Sequence, residues 1–434
     1  MALLQIINYI AVFIVFCDAF TLQNVLPFME LRGSYLLMIL VLLLCLPFLR
    51  GIPFNKTFFF LFGAVVVSSL CNIYIDKDTF LLLTKQVIGI FSNSVIFYFL
   101  MKVNKYDVKR LFKVYLNLAI LTGLIGLFQE LNYLLGFRPG YDFSYILASS
   151  VHISPMGFLK VTSIMSEPST FCYVMMPAFF AAIASFSKSD VRFLNNWQSL
   201  VIILSVISSF SLVGYLGMLF SFMLLFFNYA KIKYFLISTA VISILMFFAY
   251  DNISDLKMRV DDSINTLTGK TKLEETNLST YALFSNTLVA WESFKDNPLF
   301  GSGLGSHSIS YDRYIDRVVD TDAVNPHFLF QNSGDTSSLF VRLLSETGLL
   351  GLLSISYFLF RFWTSKKNDE SNSLWIVNNA ILALFLVRAI RGGHYFVGGT
   401  FFSMWLYYFS GKHSKCMSQK GKPQQDRSFS PSLT

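Results

Sequence analysis

Apolar runs long enough to cross a bilayer recur along most of the chain and restrict its fold more than any other feature. The hydrocarbon core of a membrane is spanned by roughly 20 apolar residues in a helix. Hydrophobic residues make up 54% of the chain and charged residues 14%, which leaves too few polar side chains to cover a soluble protein of 434 residues. The sequence therefore predicts an all-α, polytopic integral membrane protein.

About 12 transmembrane helices are expected. We place them near 3–20, 34–50, 57–75, 80–101, 111–136, 169–187, 197–211, 212–229, 232–250, 338–361, 374–391 and 395–410. The stretch 197–229 is long for one span and short for two, and Gly214 and Gly217 permit a break in the middle.

Basic residues predict the orientation of these helices. The 34 Lys and Arg exceed the 26 Asp and Glu, but the excess is scattered over short segments between predicted helices and accompanies no nucleic-acid-binding motif. Cytoplasmic segments of membrane proteins are rich in Lys and Arg. The basic segment 102–113 is therefore assigned to the cytoplasm, which places both ends of the chain inside and leaves 137–167 and 251–337 outside.

Six segments follow from this topology. They are the N-terminal transmembrane helices 1–136, a periplasmic loop 137–167, central transmembrane helices 168–250, a large periplasmic loop 251–337, C-terminal transmembrane helices 338–411 and a cytoplasmic tail 412–434.

Arg342 and Glu346 are the first candidate site residues. Together with Ser338 they recur at every fourth position, so they share one face of a helix that enters the membrane. Charged side chains in such a helix are costly unless they pair or face a cavity. Either they form an ion pair that sets helix packing, or Arg342 meets an anionic ligand.

Arg388, Arg391 and His394 form a second candidate group, spaced three residues apart near the outer end of a predicted helix. Lys and Arg are usually concentrated in the cytoplasmic segments of membrane proteins, so positive charge at the outer end of a helix is unusual. A lipid pyrophosphate would balance it, because the planar Arg fork suits phosphate oxygens. The alternative is that these side chains reach lipid headgroups.

Glu167 and His327 are candidate bases. Glu167 precedes Pro168 at a predicted helix start, where an acid also suits the helix dipole, so its role is either capping or catalysis. His327 is isolated in the large loop and is either structural or a general base.

No metal or nucleotide site is expected. Asp320 and Asp322 have the spacing of a metal-binding acid pair, which is weak evidence by itself. Gly301, Gly303 and Gly305 allow close approach of the backbone to a ligand, but the Lys-Ser/Thr ending of a phosphate-binding loop is missing. The cysteines show no metal-ligand spacing, and no cofactor is expected.

Several motifs together resemble the O-antigen polymerase and ligase superfamily. NPLFGSGLGSHS is followed by SSLFVRLLSETGLLGLL, while SEPSTF and FSLVGYLG resemble two helix starts of the same proteins. These motifs span roughly 165–352, and the number of helices predicted over the full length is similar to that of the superfamily.

This resemblance implies an inverting glycosyl transfer without metal. The donor would be a growing glycan on undecaprenyl pyrophosphate, and the acceptor a sugar hydroxyl on another lipid-linked unit. Arginines would bind the pyrophosphate and a base would receive the hydroxyl proton. A flippase, a chain-length regulator and membrane lipids are the implied partners, and no nucleic acid is among them.

Two positions depart from the family pattern. The family's usual Arg after Ser211 is replaced by Leu212, so Arg259, Arg388 or Arg391 must substitute if an arginine is needed there. The His-Asn pair typical of ligases aligns with Ser337 and Ser338, and His327 lies earlier in the chain.

We therefore predict a polysaccharide polymerase of the bacterial inner membrane, with Arg342, Arg388 and Arg391 on the leaving pyrophosphate and Glu167 or His327 at the acceptor hydroxyl. The alternatives are an O-antigen ligase that uses lipid A-core as acceptor, a lipid-linked sugar transporter or flippase, and a membrane scaffold without chemistry. A transporter is disfavoured because the chain shows no internal repeat.

Overall fold

The computed structural model is helical and describes residues 2–22, 31–48, 63, 77–154, 156–186, 192–229, 250–251, 254–369, 373–396 and 399–420. Its α-helices are α1 (Ala2–Phe13), α2 (Gly33–Cys45), α3 (Lys77–Val103), α4 (Val108–Leu134), α5 (Arg138–Tyr141), α6 (Pro168–Phe186), α7 (Asn196–Ile207), α8 (Leu212–Tyr229), α9 (Ser254–Leu267), α10 (Leu278–Asp296), α11 (His307–Val318), α12 (Leu339–Phe362), α13 (Leu374–Ile390) and α14 (Thr400–Lys420). Two-residue strands β1 (Thr21–Leu22) and β2 (Leu31–Arg32) pair as a short antiparallel ribbon.

The all-α prediction is confirmed. Among the described residues, five helices are long and apolar enough to cross a membrane: Phe80–Val103, Val108–Leu134, Pro168–Phe186, Leu212–Tyr229 and Leu339–Phe362. Shorter apolar helices cover Leu3–Phe16, Gly33–Phe48, Asn196–Ile207 and Leu374–Ile390. The predicted spans near 57–75 and 232–250 lie outside the described residues, and the total of twelve spans stays a prediction.

Helix α6 is the central element of the bundle. Almost every residue of α6 is buried, and it packs against α7, α8 and α13. Pro168 occupies its first position, where the missing N–H has no helical partner to lose. An all-round apolar helix of this kind needs a protein environment on every side, so its composition accounts for its central place.

The break between α7 and α8 lies where the predicted spans 197–211 and 212–229 meet, but the glycines expected to permit it do not form it. It falls at 208–211, where Phe210 adopts a positive φ of 45°. Gly214 and Gly217 lie inside α8 instead. A Cβ on either residue would collide with a side chain of α6, so these glycines allow the two helices to approach closely.

The predicted large loop contains three helices, α9, α10 and α11. Helices α10 and α11 pack around a separate hydrophobic core formed by Leu273, Tyr281, Val289, Tyr311, Tyr314, Ile315, Val319 and Val324. We call residues 254–338 the cap segment.

The connections between helices gather at two opposite ends of the bundle. At one end, which we call the cap end, Ala148 N–H bonds the Ala19 carbonyl, Val161 N–H the Ser208 carbonyl and Gly392 N–H the Ser337 carbonyl. At the other, the lysine-rich end, the Lys366 N–H donates to the Asn228 side chain at 2.7 Å.

Candidate functional site

Helix α12 is interrupted at Gly348, whose φ of 57° and ψ of −154° are not helical. The glycine-rich segment 297–305 fills the interruption. The N–H groups of Ser302 and Gly303 donate to the carbonyls of Ser345 and Glu346 at 2.8 and 2.9 Å. In return, the N–H groups of Leu349 and Leu350 donate to the carbonyls of Pro298 and Leu299.

The glycines were expected to allow close approach to a ligand; the structure places Gly301 and Gly303 against the backbone of α12, and Gly305 against α3. A Cβ on Gly301 would lie 2.5 Å from the Glu346 carbonyl carbon. Their chemical role is therefore to let one backbone satisfy the hydrogen-bonding groups of another.

Glu346 and Arg342 form a buried ion pair on the first half of α12. Arg342 Nε lies 2.9 Å from Glu346 Oε1, and the two residues are 2% and 0% exposed. The Tyr395 hydroxyl donates to Glu346 Oε2 at 2.8 Å, and the Arg342 guanidinium lies 4.2 Å from the centre of the Tyr395 ring. The pairing predicted from the spacing is present, and Tyr395 completes it.

Arg388 lies close by, at the end of α13, and is fully buried. Its guanidinium donates to the Thr400 hydroxyl and to the His394 carbonyl. The turn 391–396 thus wraps around Arg388. A buried guanidinium held by neutral acceptors keeps its positive charge.

His394 is surrounded by cations. Its Nδ1 accepts a hydrogen bond from the Phe396 N–H at 3.2 Å, which leaves the ring proton on Nε2. Burial, together with the charges of Arg342, Arg32, Arg388 and Lys85, lowers the pKa of His394 to about 3. His394 is therefore neutral near pH 7.

Arg391 is the most accessible of the predicted arginines on α13, because it is only half-buried. Burial lowers the pKa of Arg391, the Tyr173 hydroxyl opposes this effect and the neighbouring Arg259 adds to it. In the described part of the chain no carboxylate lies within salt-bridge distance of Arg391 or Arg259. Two half-buried cations whose charges interact favour an anion near them.

Glu167 lies at the start of α6 at the cap end and is exposed. Its Oε2 accepts a hydrogen bond from the Ser169 hydroxyl at 3.0 Å, while its carbonyl accepts the Phe171 N–H. Glu167 also interacts electrostatically with Asp335, a half-buried carboxyl in the turn before α12.

His327 lies away from these residues. It is exposed in the connection after α11, and its N–H donates to the Asn325 side chain. Among the ranges that the structure describes, no contact joins His327 to Arg342, Arg388 or Arg391.

The sequence analysis did not single out His307, which the structure buries completely. Its Nδ1 lies 3.0 Å from the Ser345 hydroxyl and its Nε2 lies 3.1 Å from the Asn286 side-chain oxygen. Burial lowers the pKa of His307 to about 3, so the ring is neutral and ties α10 and α11 to α12. The position of His307 in the motif GSGLGSHS is the sequence feature that could have identified it.

A cavity of about 280 Å³ lies between α3, α12, α13 and α14. Its walls are almost entirely apolar, and the guanidinium-bearing Arg388 and the hydroxyl-bearing Tyr395 are among the residues that line it. The apolar lining includes Ile90, Leu343, Leu352, Phe385, Met404 and Trp405.

Within the described residues, no group of three or more His, Cys, Asp or Glu side chains is arranged to hold a metal ion. The charged groups at the cap end are mostly arginines and isolated carboxylates. Arginines suit phosphate oxygens, so the arrangement can bind a phosphorylated anion next to an apolar cavity.

The comparisons with known proteins agree with the motifs. Residues 198–356 match a family described as O-antigen ligase, which is more than a third of the chain. No curated protein matches the chain significantly. The matched stretch includes the break in α12, the glycine-rich segment, Arg342 and Glu346. Over 198–356 the chain is thus similar to the O-antigen ligase family, whose members are membrane glycosyltransferase-like enzymes, and this similarity supports the resemblance to the O-antigen polymerase and ligase superfamily.

Proposed function

We propose that the protein is a polysaccharide polymerase of the bacterial inner membrane. It transfers a growing glycan from undecaprenyl pyrophosphate to a second lipid-linked repeat unit at the periplasmic face, without a metal ion. Both ends of the chain are cytoplasmic in this proposal, and the cap segment is periplasmic.

One observation supports the proposal above the others. An apolar cavity, lined by Arg388 and Tyr395, lies beside the arginines of the cap end. A lipid pyrophosphate combines a long apolar chain with a dianionic or more highly charged head. The cavity suits the first part and the arginines suit the second.

The leaving pyrophosphate would be bound by Arg391 and Arg259, with Arg388 behind them. Negative charge grows on this group as the bond to the sugar breaks, and fixed cations stabilise developing charge. Arg342 would add to the positive potential, and Glu346 would hold Arg342 in place. Glu167 and His327 remain predicted bases for the acceptor hydroxyl.

A second candidate function is ligation of the finished glycan to lipid A-core, and the family description favours it. The two functions differ in the phenotype of a deletion strain. Loss of a polymerase leaves single repeat units on the outer-membrane lipid, whereas loss of a ligase leaves none.

Complementation of the deletion strain tests the proposed function. Arg391→Ala should reduce the yield of long glycan by about 10- to 100-fold, because a hydrogen bond to a charged group contributes about 1.5–3 kcal/mol. Arg110→Ala is the matched control, since Arg110 is exposed at the lysine-rich end.

Glycan chain length would be read on gels of the extracted polysaccharide, with protein levels in the membrane measured in parallel. Normal chain length in Arg391→Ala at normal protein level would contradict the assignment of the pyrophosphate site. A deletion strain with no repeat units on the lipid would favour the ligase.

A flippase and a chain-length regulator are the proposed partners. A lipid-linked repeat unit has to cross the membrane before it can be joined at the periplasmic face, and a separate protein would supply it.

A further inference from the structure

We propose that Asp335 is the catalytic base that receives the proton of the acceptor hydroxyl. The inference rests on the proposed function. It gives the role of base, predicted above for Glu167 or His327, to a residue that neither the motifs nor the family match assigns.

The turn that carries Asp335 is held in a conformation that ordinary residues avoid. Asn332, Thr336 and Ser337 all have positive φ values, of 58°, 67° and 60°. Such conformations persist only where the surroundings impose them, and they occur preferentially at functional sites.

Contacts on both sides impose this conformation. The Thr336 N–H donates to the Asn332 carbonyl at 2.7 Å, and the Asn332 side chain donates to the Ser337 hydroxyl at 2.6 Å. The Ser337 carbonyl accepts the Gly392 N–H at 2.8 Å. The turn is therefore fixed directly to the segment that follows Arg391.

Gly393 shows how close this packing is. A Cβ at Gly393 would overlap the Asp335 carbonyl oxygen, so only glycine fits there. The backbone of Asp335 thus lies next to the turn that carries Arg391 and His394. This contact places its carboxyl near the proposed pyrophosphate site.

The charged and titratable groups around the Asp335 carboxyl come from three elements. Arg342 on α12 attracts it, Glu167 at the start of α6 repels it, and Tyr173 on α6 interacts with it as well. On the third element, the turn 391–396, Arg391 and His394 flank the two glycines that contact the segment 335–337. A carboxylate whose charge interacts with an arginine and with a second acid can serve as a general base.

Asp335 differs from the neighbouring carboxyls Glu346 and Glu167 in its intermediate burial. Glu346 is fully buried and already bonded to Arg342 and Tyr395. Glu167 is exposed and accepts from Ser169. Asp335 is half-buried, and burial raises its pKa, an effect that Glu167 increases and the Ser337 N–H and Arg342 oppose. A raised pKa brings a carboxylate closer to the basicity that proton transfer requires.

The proposed reaction forms one bond to the anomeric carbon and breaks another. Asp335, as carboxylate, takes the proton of the acceptor hydroxyl. The acceptor oxygen forms a bond to the anomeric carbon of the donor sugar, and the bond from that carbon to the pyrophosphate oxygen breaks. The electron pair leaves with undecaprenyl pyrophosphate.

The test uses full-length protein in detergent with lipid-linked repeat units extracted from the deletion strain. Asp335→Asn keeps a side-chain oxygen for the Ser337 N–H but removes the base. We expect the rate of elongation to fall by about 10²- to 10⁴-fold, with the dissociation constant for the lipid-linked donor unchanged. Asp312→Asn, an exposed acid on α11, is the matched control and should retain wild-type activity.

The dependence of the elongation rate on pH is a second measurement. A purely structural role of Asp335 would leave this dependence unchanged. Wild-type activity should be lost as the pH falls through the raised pKa of Asp335, because the protonated carboxyl cannot accept a proton. The residual activity of Asp335→Asn should lack this acid limb. Glu167→Gln should move the limb to lower pH, since it removes the charge that raises the pKa of Asp335, and Asp335→Glu should regain part of the rate.

Elongation by Asp335→Asn within threefold of wild type would overturn the assignment of the base and leave the proposed function intact. Equal loss of donor binding and elongation in Asp335→Asn would also overturn it. Wild-type protein that elongates no lipid-linked unit would contradict the proposed function itself.

Discussion

At the scale of single residues, the Arg342–Glu346 pair is the clearest case of a charge balanced inside the bundle. Both side chains are buried, and removing one partner of such a pair leaves an uncompensated charge that costs about 3–5 kcal/mol. We expect Glu346→Ala to lower the melting temperature in detergent strongly. The double replacement Arg342→Met with Glu346→Leu should restore most of the lost stability, because it removes both charges.

Melting of the purified variants, followed by fluorescence, checks this prediction. The double variant should also show lower transfer activity than wild type, because the cap end loses one of its cations. A double variant less stable than Glu346→Ala would contradict the interpretation that Arg342 and Glu346 compensate each other's charge.

The sequence predicted this pair because a spacing of four residues fixes which side chains meet on a helix. It could not predict Tyr395, which reaches Glu346 from the far side of α13. The same limit applies to Asp335 and Gly393, which are separated along the chain and meet only through the tertiary fold. The prediction that His327 is a base depends on a loop whose position no local pattern fixes.

At the scale of elements, the interruption of α12 depends on one glycine. The φ and ψ of Gly348 lie in a region that is essentially restricted to glycine, and a Cβ there would lie 2.7 Å from the Gly301 nitrogen. We expect Gly348→Ala to cost at least about 1–3 kcal/mol and to reduce activity, since Arg342 and Glu346 precede the interruption. The measurement is thermal unfolding together with glycan yield.

Gly334→Ala is the control for this variant, because a Cβ at Gly334 meets nothing within 4 Å. Equal stability of the Gly348 and Gly334 variants would show that the break in α12 tolerates a side chain.

Most helices that cross the bundle could be predicted from apolar length alone, and α8 and α12 fall within a residue of their predicted ranges. The helices of the cap segment could not be predicted in this way. They are mixed in composition, α9 and α11 are amphipathic, and α10 and α11 pack around a small core of their own, so these helices lack the continuous apolar run that marks a membrane helix.

At the scale of the whole molecule, the two ends of the bundle differ in chemistry. The cap end carries Arg259, Arg388 and Arg391, and the lysine-rich end carries the basic residues of 102–113 together with Lys366 and Lys367. We expect alkaline phosphatase inserted at Gly269 to be active, because the cap segment would be periplasmic, and the same reporter inserted at Lys367 to be inactive. A β-galactosidase reporter at both positions should give the reverse pattern, and an inactive phosphatase at Gly269 would exclude chemistry at the periplasmic face.

The glycine-rich segment 297–305, which fills the break in α12, affects how this helix can be inserted during biosynthesis. Backbone N–H and carbonyl groups inside a bilayer must all find partners, and those at the break of α12 find theirs only in a segment synthesised earlier. In the proposed topology, insertion of this helix is thereby coupled to prior folding of the periplasmic cap segment. A molecule whose cap segment misfolds would leave these backbone groups without hydrogen-bond partners.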